Sequence, residues 1–366
     1  MPVELARKAA YDYLIEKSGS TFHCINGRQR VIMSDPDAGA VINNAINRVP
    51  SQGWVSIKIK GGEIGEIFDI QTGIDFNNRH VFLKGAGIGR TLLKAKNSLN
   101  DHVINIAPTS NLTWSEVADL EIHGNSTNNT SGRGISLTTG GGGYQQDFHL
   151  RNVFIHYTED ECLYSERLWG HHITNCLFEQ SNSANGGVHF NGNGSATMIG
   201  CRSSAHSAGY GIKCVSSKVR FQACEINSCY KSGLFLASPN CSFIGGYITD
   251  NNVAGTTYVG IKIGNAAANS IIQGVTLDGG SSEKYNVEVS ANDCTFTGNC
   301  YKGAVTATIN DTGARNLFDN LSNNAGAPGA AGDWATATRE GVIVRDTANN
   351  KTYIYAGGGW REISAA

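Results

Sequence analysis

Proline is scarce in this chain, with 6 among 366 residues, and charge is thin. Asp, Glu, Lys and Arg together make up 16 % of the sequence and nearly cancel, leaving a formal net charge of -2. Without a cationic excess the chain lacks the footprint of a nucleic-acid binder, which argues against DNA or RNA as main partner. No run of about 18 apolar residues occurs, so no membrane-spanning helix is expected. The opening Met1-Pro-Val-Glu-Leu-Ala-Arg-Lys has no apolar core of signal-peptide length behind it. The expectation is a soluble protein made in the cytoplasm. The 10 cysteines contain no C-x-x-C pair, and spacings of a whole repeat do not suit a zinc site.

What is abundant is glycine, at 45 residues, together with asparagine and serine, as a chain that turns corners every few residues requires. The reason for the corners is a repeat. His149-Leu-Arg-Asn-Val-Phe-Ile aligns with His172-Ile-Thr-Asn-Cys-Leu-Phe and Thr197-Met-Ile-Gly-Cys-Arg-Ser. Segments starting at Val219, Cys241 and Ser270 continue the series at intervals of about 22 to 29 residues, the period of a solenoid. Each unit carries a second short strand, such as Gly187-Val-His-Phe, Gly211-Ile-Lys-Cys, Gly233-Leu-Phe-Leu and Gly260-Ile-Lys-Ile. Short strands with polar corners at a fixed period predict an all-β fold, a right-handed single-stranded parallel β-helix. Cys176, Cys201 and Cys224 hold one place in successive coils, and Cys162 and Cys214 fall in second strands. All five read as small buried hydrophobes in a reduced core ladder.

Along the chain, residues 3–17 read as a short helix or an arm. Thr21 to Met33 reads as a hairpin turned by Asn26-Gly27. Asp37 then precedes Val41, Ile42, Ala45, Ile46 and Val49 at helical spacing, so a capped amphipathic helix is predicted as the lid of the solenoid's open end. Gly85-Ala-Gly-Ile-Gly-Arg lies between two strands and reads as a coil corner, not a dinucleotide loop. Residues 124–146 read as a long insertion with a flexible glycine run at 140–143. The predicted organisation is an N-terminal helix/hairpin arm over 1–34, the β-helix with its cap over 35–314, a flexible linker over 315–333 and a C-terminal β module over 334–366.

Asp37-Ala-Gly-Ala-Val-Ile-Asn-Asn-Ala-Ile, Val55-Ser-Ile-Lys-Ile-Lys-Gly-Gly-Glu-Ile and Val81-Phe-Leu-Lys-Gly-Ala-Gly-Ile-Gly-Arg-Thr-Leu-Leu resemble the entry segment of the pectate-lyase-like superfamily. That superfamily includes viral tailspikes. The resemblance covers residues 35–95, with the coil pattern continuing to about 314. It implies a β-helix that engages polysaccharide or a cell-surface glycan as lyase, hydrolase, epimerase or plain binder. The consecutive-coil aspartates and arginine of pectate cleavage have no matching set here. The strand-turn-strand of 341–355 and Trp360-Arg-Glu-Ile look like terminal modules of viral tail and fibre proteins. By that likeness a homotrimer and a virion-associated or released location are expected.

Register places candidate chemistry on outward columns about 4.8 Å apart per coil. With Val153, Cys176, Cys201, Cys224 and Gly246 inward, one outward column is Phe154, Leu177, Arg202, Glu225, Tyr247. The next is His156, Glu179, Ser204, Asn227, Thr249, and the second strand offers Leu163, His189, Lys213, Phe235, Lys262. Glu179 and Glu225, roughly 12 Å apart at the backbone, are candidate acid and base for glycoside hydrolysis, with Asp250 as a substitute partner; an inverting pair needs about 6.5 to 9.5 Å. A lyase would instead use His189, Lys213 or Tyr210 as base, with Arg202 or a divalent cation such as calcium neutralising a uronate carboxylate. The bland alternative for each is a ladder contact on a solvated sheet. His171-His172 reads as one packed and one solvated ring, and Asp160-Glu161 as a solvated acidic corner or a cation site. The leading expectation is a glycan-degrading enzyme, lyase or glycoside hydrolase. The alternatives are a non-catalytic adhesin or structural spike, and a sugar epimerase.

Overall fold

The structure, a computed structural model, describes residues 11–62, 65–252, 258–279, 283–302, 307–318, 321–324, 343–346, 351–356 and 359–363. The chain divides into two compact units, residues 1–197 and 198–366. Both are built from stacked coils in which each coil lays one strand parallel to its counterpart in the next.

In the first unit the long-strand sheet is made by Trp54–Ile59, His80–Lys84, Leu112–His123, Gln145–His156 and Leu168–Thr174, paired in parallel in that order. The register stacks Ile57, Leu83, Val117, Leu150 and Ile173 in one inward column, every one buried. A second sheet of short strands stacks Ile104, Ile135, Leu163 and Val188 inward. Period-2 alternation on strands buried on one face only explains the pattern: apolar residues meet in the bore and their neighbours face out.

Corners between strands need left-handed backbone, and short polar residues supply it. Asp119 (φ 54°), Asn152 (φ 52°) and Asn175 (φ 52°) occupy one corner in three coils. The Asn152 amide donates to Asp119 Oδ1 at 2.9 Å, so the corner is stapled from coil to coil.

The helix Ala38–Asn47 starts on Asp37, whose Oδ1 accepts from the amides of Gly39 and Gln71, both at 2.9 Å. One carboxylate thus caps the helix and ties it to the coil beneath. Val41, Ile42, Ala45 and Ile46 are fully buried against the first strands, while Val49 lies beyond the helix and is half-buried. The N-terminal segment differs from expectation. Tyr13–Ser18 is a strand, antiparallel to Thr21–Asn26 and parallel to Trp54–Ile59, because alternating Ile15 and Phe22 fill the core there. Residues 3–10 of the expected helix lie outside the described residues. The Thr21–Asn26 and Val31–Asp35 hairpin forms, but its positive φ falls on Gln29 (63°), with Asn26 Oδ1 accepting from the amides of Arg28 and Arg30.

Residues 124–146 are an ordinary coil, not an insertion: Ile135–Leu137 is its buried second-sheet strand, and Gly140 packs so closely that a Cβ would come within 2.1 Å of the Ala107 carbonyl oxygen. The second unit repeats the design. Ile212, Leu234, Ile261, Val287 and Ile309 form one inward column, and Phe221, Phe243, Ile272, Phe296 and Phe318 another. Towards the C-terminus Leu321–Asn324 pairs parallel to Ile343–Asp346, followed by antiparallel Lys351–Ala356 and Gly359–Ile363. Residues 325–342, among them 325–333 of the expected linker, lie outside the described residues. All 10 cysteines are free thiols; nine are buried and Cys300 is exposed. Among the described residues no helix is long and apolar enough to cross a membrane.

Candidate functional site

The outer face of the first unit's long-strand sheet carries the largest exposed aromatic groups of that unit. Trp54, Trp114 and Trp169 are 53 %, 53 % and 46 % exposed. Trp54 lies flat on His80, with centroids 4.3 Å apart and planes within 10°, and contacts Phe82 at 5.6 Å. Trp114 stacks with His149 at 5.9 Å, His149 meets His172 edge-on at 5.0 Å, and Trp169 leans on Tyr144 at 5.7 Å. Trp114 has left-handed backbone (φ 59°) inside the strand Leu112–His123. It is skipped in the ladder, where Thr113 pairs with Gln146 and Ser115 with Phe148. Asp147 (φ 46°) is skipped opposite it, so the pair is a left-handed coil corner, and the break in alternation there turns the indole outward. His80 donates Nδ1–H to the Thr113 carbonyl and so braces the corner. Burial, then the neighbouring His172, lower the pKa of His149.

Phe82 joins this row to a cavity of about 330 Å³ lined by Tyr11, Ser56, Lys58, Phe82, Lys84, Glu116 and Arg151. Arg151 is held by Glu116 at 2.9 Å and Asp119 at 3.3 Å, and Lys84 meets Asp119 at 3.3 Å. Burial alone would raise the Asp119 carboxyl, but hydrogen bonds and charge from Asn152, Arg151 and Lys84 outweigh it and hold it low. Lys58 is exposed over the Tyr11 ring at 5.9 Å and has no carboxylate partner among the described residues. The lining itself thus holds three cations and one carboxylate, Glu116, with Asp119 and Asp12 just behind it, Asp12 accepting from the Ser56 amide at 2.9 Å.

Beyond the Asp119–Asn152 corner a second outward column runs Lys94, His123, His156, Glu179. His156 bonds Glu121 through Nε2 at 2.9 Å, and that bond holds the Glu121 carboxyl low. Burial, then His156, push His123 down to about 4; its Nδ1 accepts from the Asn125 amide at 2.9 Å. It is a neutral imidazole at physiological pH.

The residues singled out from sequence distribute over both units. In the first, Glu179 is half-buried opposite His156. His189 is only 6 % exposed, its Nδ1 3.5 Å from Glu161, and neither ring nitrogen has a well-aligned hydrogen-bond partner. Glu161, expected as a solvated corner or cation ligand, is 2 % exposed and already engaged: Arg133 at 2.7 Å, Asn185 at 3.0 Å, Ser183 at 3.1 Å. Tyr164, not Leu163, shares the outward column with His189; Leu163 points inward with Val188, a one-residue slip that reverses the face. His171 is buried, donating to the Gln145 carbonyl at 2.9 Å, and burial pushes it down to about 4, while His172 is exposed.

In the second unit Arg202 and Glu225 are register neighbours, and Glu225 accepts from the Asn227 amide at 2.6 Å. Lys213, Phe235 and Lys262 share a column, with Lys262 paired to Glu288 at 2.7 Å. Tyr210 stacks on Phe235 at 5.3 Å, and Asp250 is an exposed corner residue (φ 49°). Glu179 and His189 thus belong to one unit, and Arg202, Lys213, Glu225 and Asp250 to the other. Among the described residues no three His, Cys, Asp or Glu side chains converge as metal ligands. Sequence reasoning missed Trp54, Trp114, Trp169, Lys58, Lys84 and Arg151. Three of the 5 tryptophans, all ahead of the recognised repeats or between them, were the available signal.

Residues 102–277 match the family model described as a right handed beta helix region. The chain is a right-handed parallel β-helix. Among solved structures, this β-helix is similar to the A-module of mannuronan C-5 epimerase AlgE4 from Azotobacter vinelandii, with 16 % identity and a TM-score of 0.50, over 78 % of this chain and 96 % of that one. It is also similar to tailspike protein gp49 of the Acinetobacter baumannii bacteriophage Fri1, a capsular polysaccharide depolymerase. There the identity is 15 % and the TM-score 0.49, over 86 % and 65 % of the two chains. No curated protein matches the β-helix at a significant level.

Proposed function

We propose that the protein binds an acidic polysaccharide on the outer long-strand face of its first unit. The observation that carries this reading is the continuity of exposed indoles with a cavity whose lining holds three cations and one carboxylate. Indole faces suit the C–H faces of sugar rings, and the Arg151, Lys84 and Lys58 cations suit carboxylates. The fold is shared with a module named for mannuronan epimerisation, which bears on architecture alone.

The test is a panel of acidic and neutral polysaccharides titrated against indole fluorescence. Acidic chains should quench or shift the emission, and Lys58→Ala should weaken binding severalfold. Failure of every acidic glycan would sink the proposal. A second reading, cleavage of the bound glycan, is favoured by the Lys94–His123–His156–Glu179 column, where a neutral imidazole stands among charged groups on the same sheet. Following 235 nm absorbance and reducing ends in parallel separates the cases. A rise in both is elimination, reducing ends alone are hydrolysis, and Glu179→Gln should suppress either. Flat traces with retained binding leave a binder of adhesin type.

A further inference from the structure

The three exposed indoles do not sit in neighbouring coils. Register runs from Trp54 to His80, on to the Phe82–Glu116 pairing that brings in the coil of Trp114, then to Gln146, which pairs with both Thr113 and Trp169. The indoles therefore occupy alternate coils, within about one residue of a common column. Adjacent coils are about 4.8 Å apart, so successive indoles step by about 9.6 Å along the stack. An extended, diequatorially linked pyranose chain advances by nearly this distance every two sugars, and alternate sugars present the same ring face. Of the intervening coils, one offers the half-buried Gln146 as a polar partner where the sugar between Trp114 and Trp169 turns over, whereas His80 in the other is buried beneath Trp54. The cations follow the same axis: Lys58 and Lys84 are paired in adjacent coils and Arg151 lies two coils on.

We infer that the ligand is a linear, extended, equatorially linked uronate chain lying across the strands, parallel to the coil axis, with every second sugar on a tryptophan. This rests on the binding reading above and adds linkage geometry, direction and repeat to it. A kinked, axially linked chain of equal charge would fall out of step with the indoles after one contact. An extended neutral chain would keep step but lose the cations.

The experiment uses the full chain and three ligand series of two to six residues: β-1,4-linked oligomannuronate, α-1,4-linked oligogalacturonate and cello-oligosaccharide. Calorimetry should show the β-linked uronates binding best. Affinity should jump from dimer to trimer and again from tetramer to pentamer, with little change between, as each further indole is reached. Trp114→Ala should weaken the pentamer at least about fivefold and abolish the first jump for chains anchored on Trp54. Trp169→Ala should remove only the second. If affinity rises smoothly with length, or α-linked uronates bind as tightly, the inference is overturned while the binding reading survives. Equal binding of the neutral series overturns the uronate assignment, and no binding by any series overturns the inference, while the binding reading then stands or falls with the acidic-glycan panel. Sedimentation of the same variants covers the remaining occupant: if Trp114→Ala dissociates an oligomer without altering glycan affinity, the face joins copies of this chain and the inference fails.

Discussion

Glu283 lies fully buried in the second unit, its Oε1 accepting from the Asn251 amide at 3.1 Å and its Oε2 packed against Gly260, where a Cβ would come within 2.7 Å. Burial pushes its carboxyl up to about 8 against the hydrogen bonds from Asn251, and the nearby Asp250 and Asp278 add to the rise. The folded-state value lies above the unfolded one, so the stability this residue contributes is full below about 4.5 and is lost as pH rises through about 8. The melting temperature of the wild type should fall between pH 5 and pH 8.5, and Glu283→Gln should flatten that slope; a wild type with no slope there would contradict the neutral carboxyl. Glu161 is the opposite case. Burial would raise it, but the neighbouring His189 imidazole and the bonds from Arg133 and Asn185 overwhelm that and drive it far down, so its contribution persists above the unfolded value and is lost only in acid. Neither environment was legible in the sequence. The run 159–161 looks like a solvated acidic corner until the fold brings Arg133 and Asn185 onto it from neighbouring coils.

At the scale of elements, the helix Ala38–Asn47 was readable because capping and 3.6-residue periodicity are local signals, and Asp37 supplies both cap and start. Asp37→Ala should cost about 1 kcal/mol or more, seen as a lowered urea midpoint with unchanged slope, because the Gln71 amide loses its acceptor as well. The strand Tyr13–Ser18 was not readable. Its six residues alternate no more clearly than a helical turn would, and its state is fixed by pairing with Thr21–Asn26 and Trp54–Ile59. The corner at Trp114 belongs to the same class, since nothing in Leu-Thr-Trp-Ser announces a left-handed residue. Trp114→Gly should be tolerated or slightly stabilising in thermal melts, as glycine relieves the positive φ and the lost indole is largely exposed. A large destabilisation would mean the indole packs as core.

At the scale of the molecule, burial of nine thiols predicts their chemistry. Burial raises Cys162, Cys224 and others above the ordinary thiol range, so a thiol reagent should titrate Cys300 in the native protein and all 10 cysteines after unfolding. Several fast-reacting native thiols would show an open core. Binding at the Lys58–Lys84–Arg151 cavity should weaken as salt rises, because the cationic charge is surface-exposed and screened within about 8 Å at physiological ionic strength. The sequence by itself determined the coil period, the inward apolar and cysteine columns, the polar corners and the capping helix. These follow from alternation and turn chemistry that act within a few residues of the chain. The tertiary structure alone decided which outward residues become neighbours. Contacts there run between coils, 20 to 35 residues apart in sequence, and one left-handed residue or a one-residue slip moves a side chain to the other face. That is why the indole row and its cation cavity emerged only from the stacked coils, and why Glu161 proved buried.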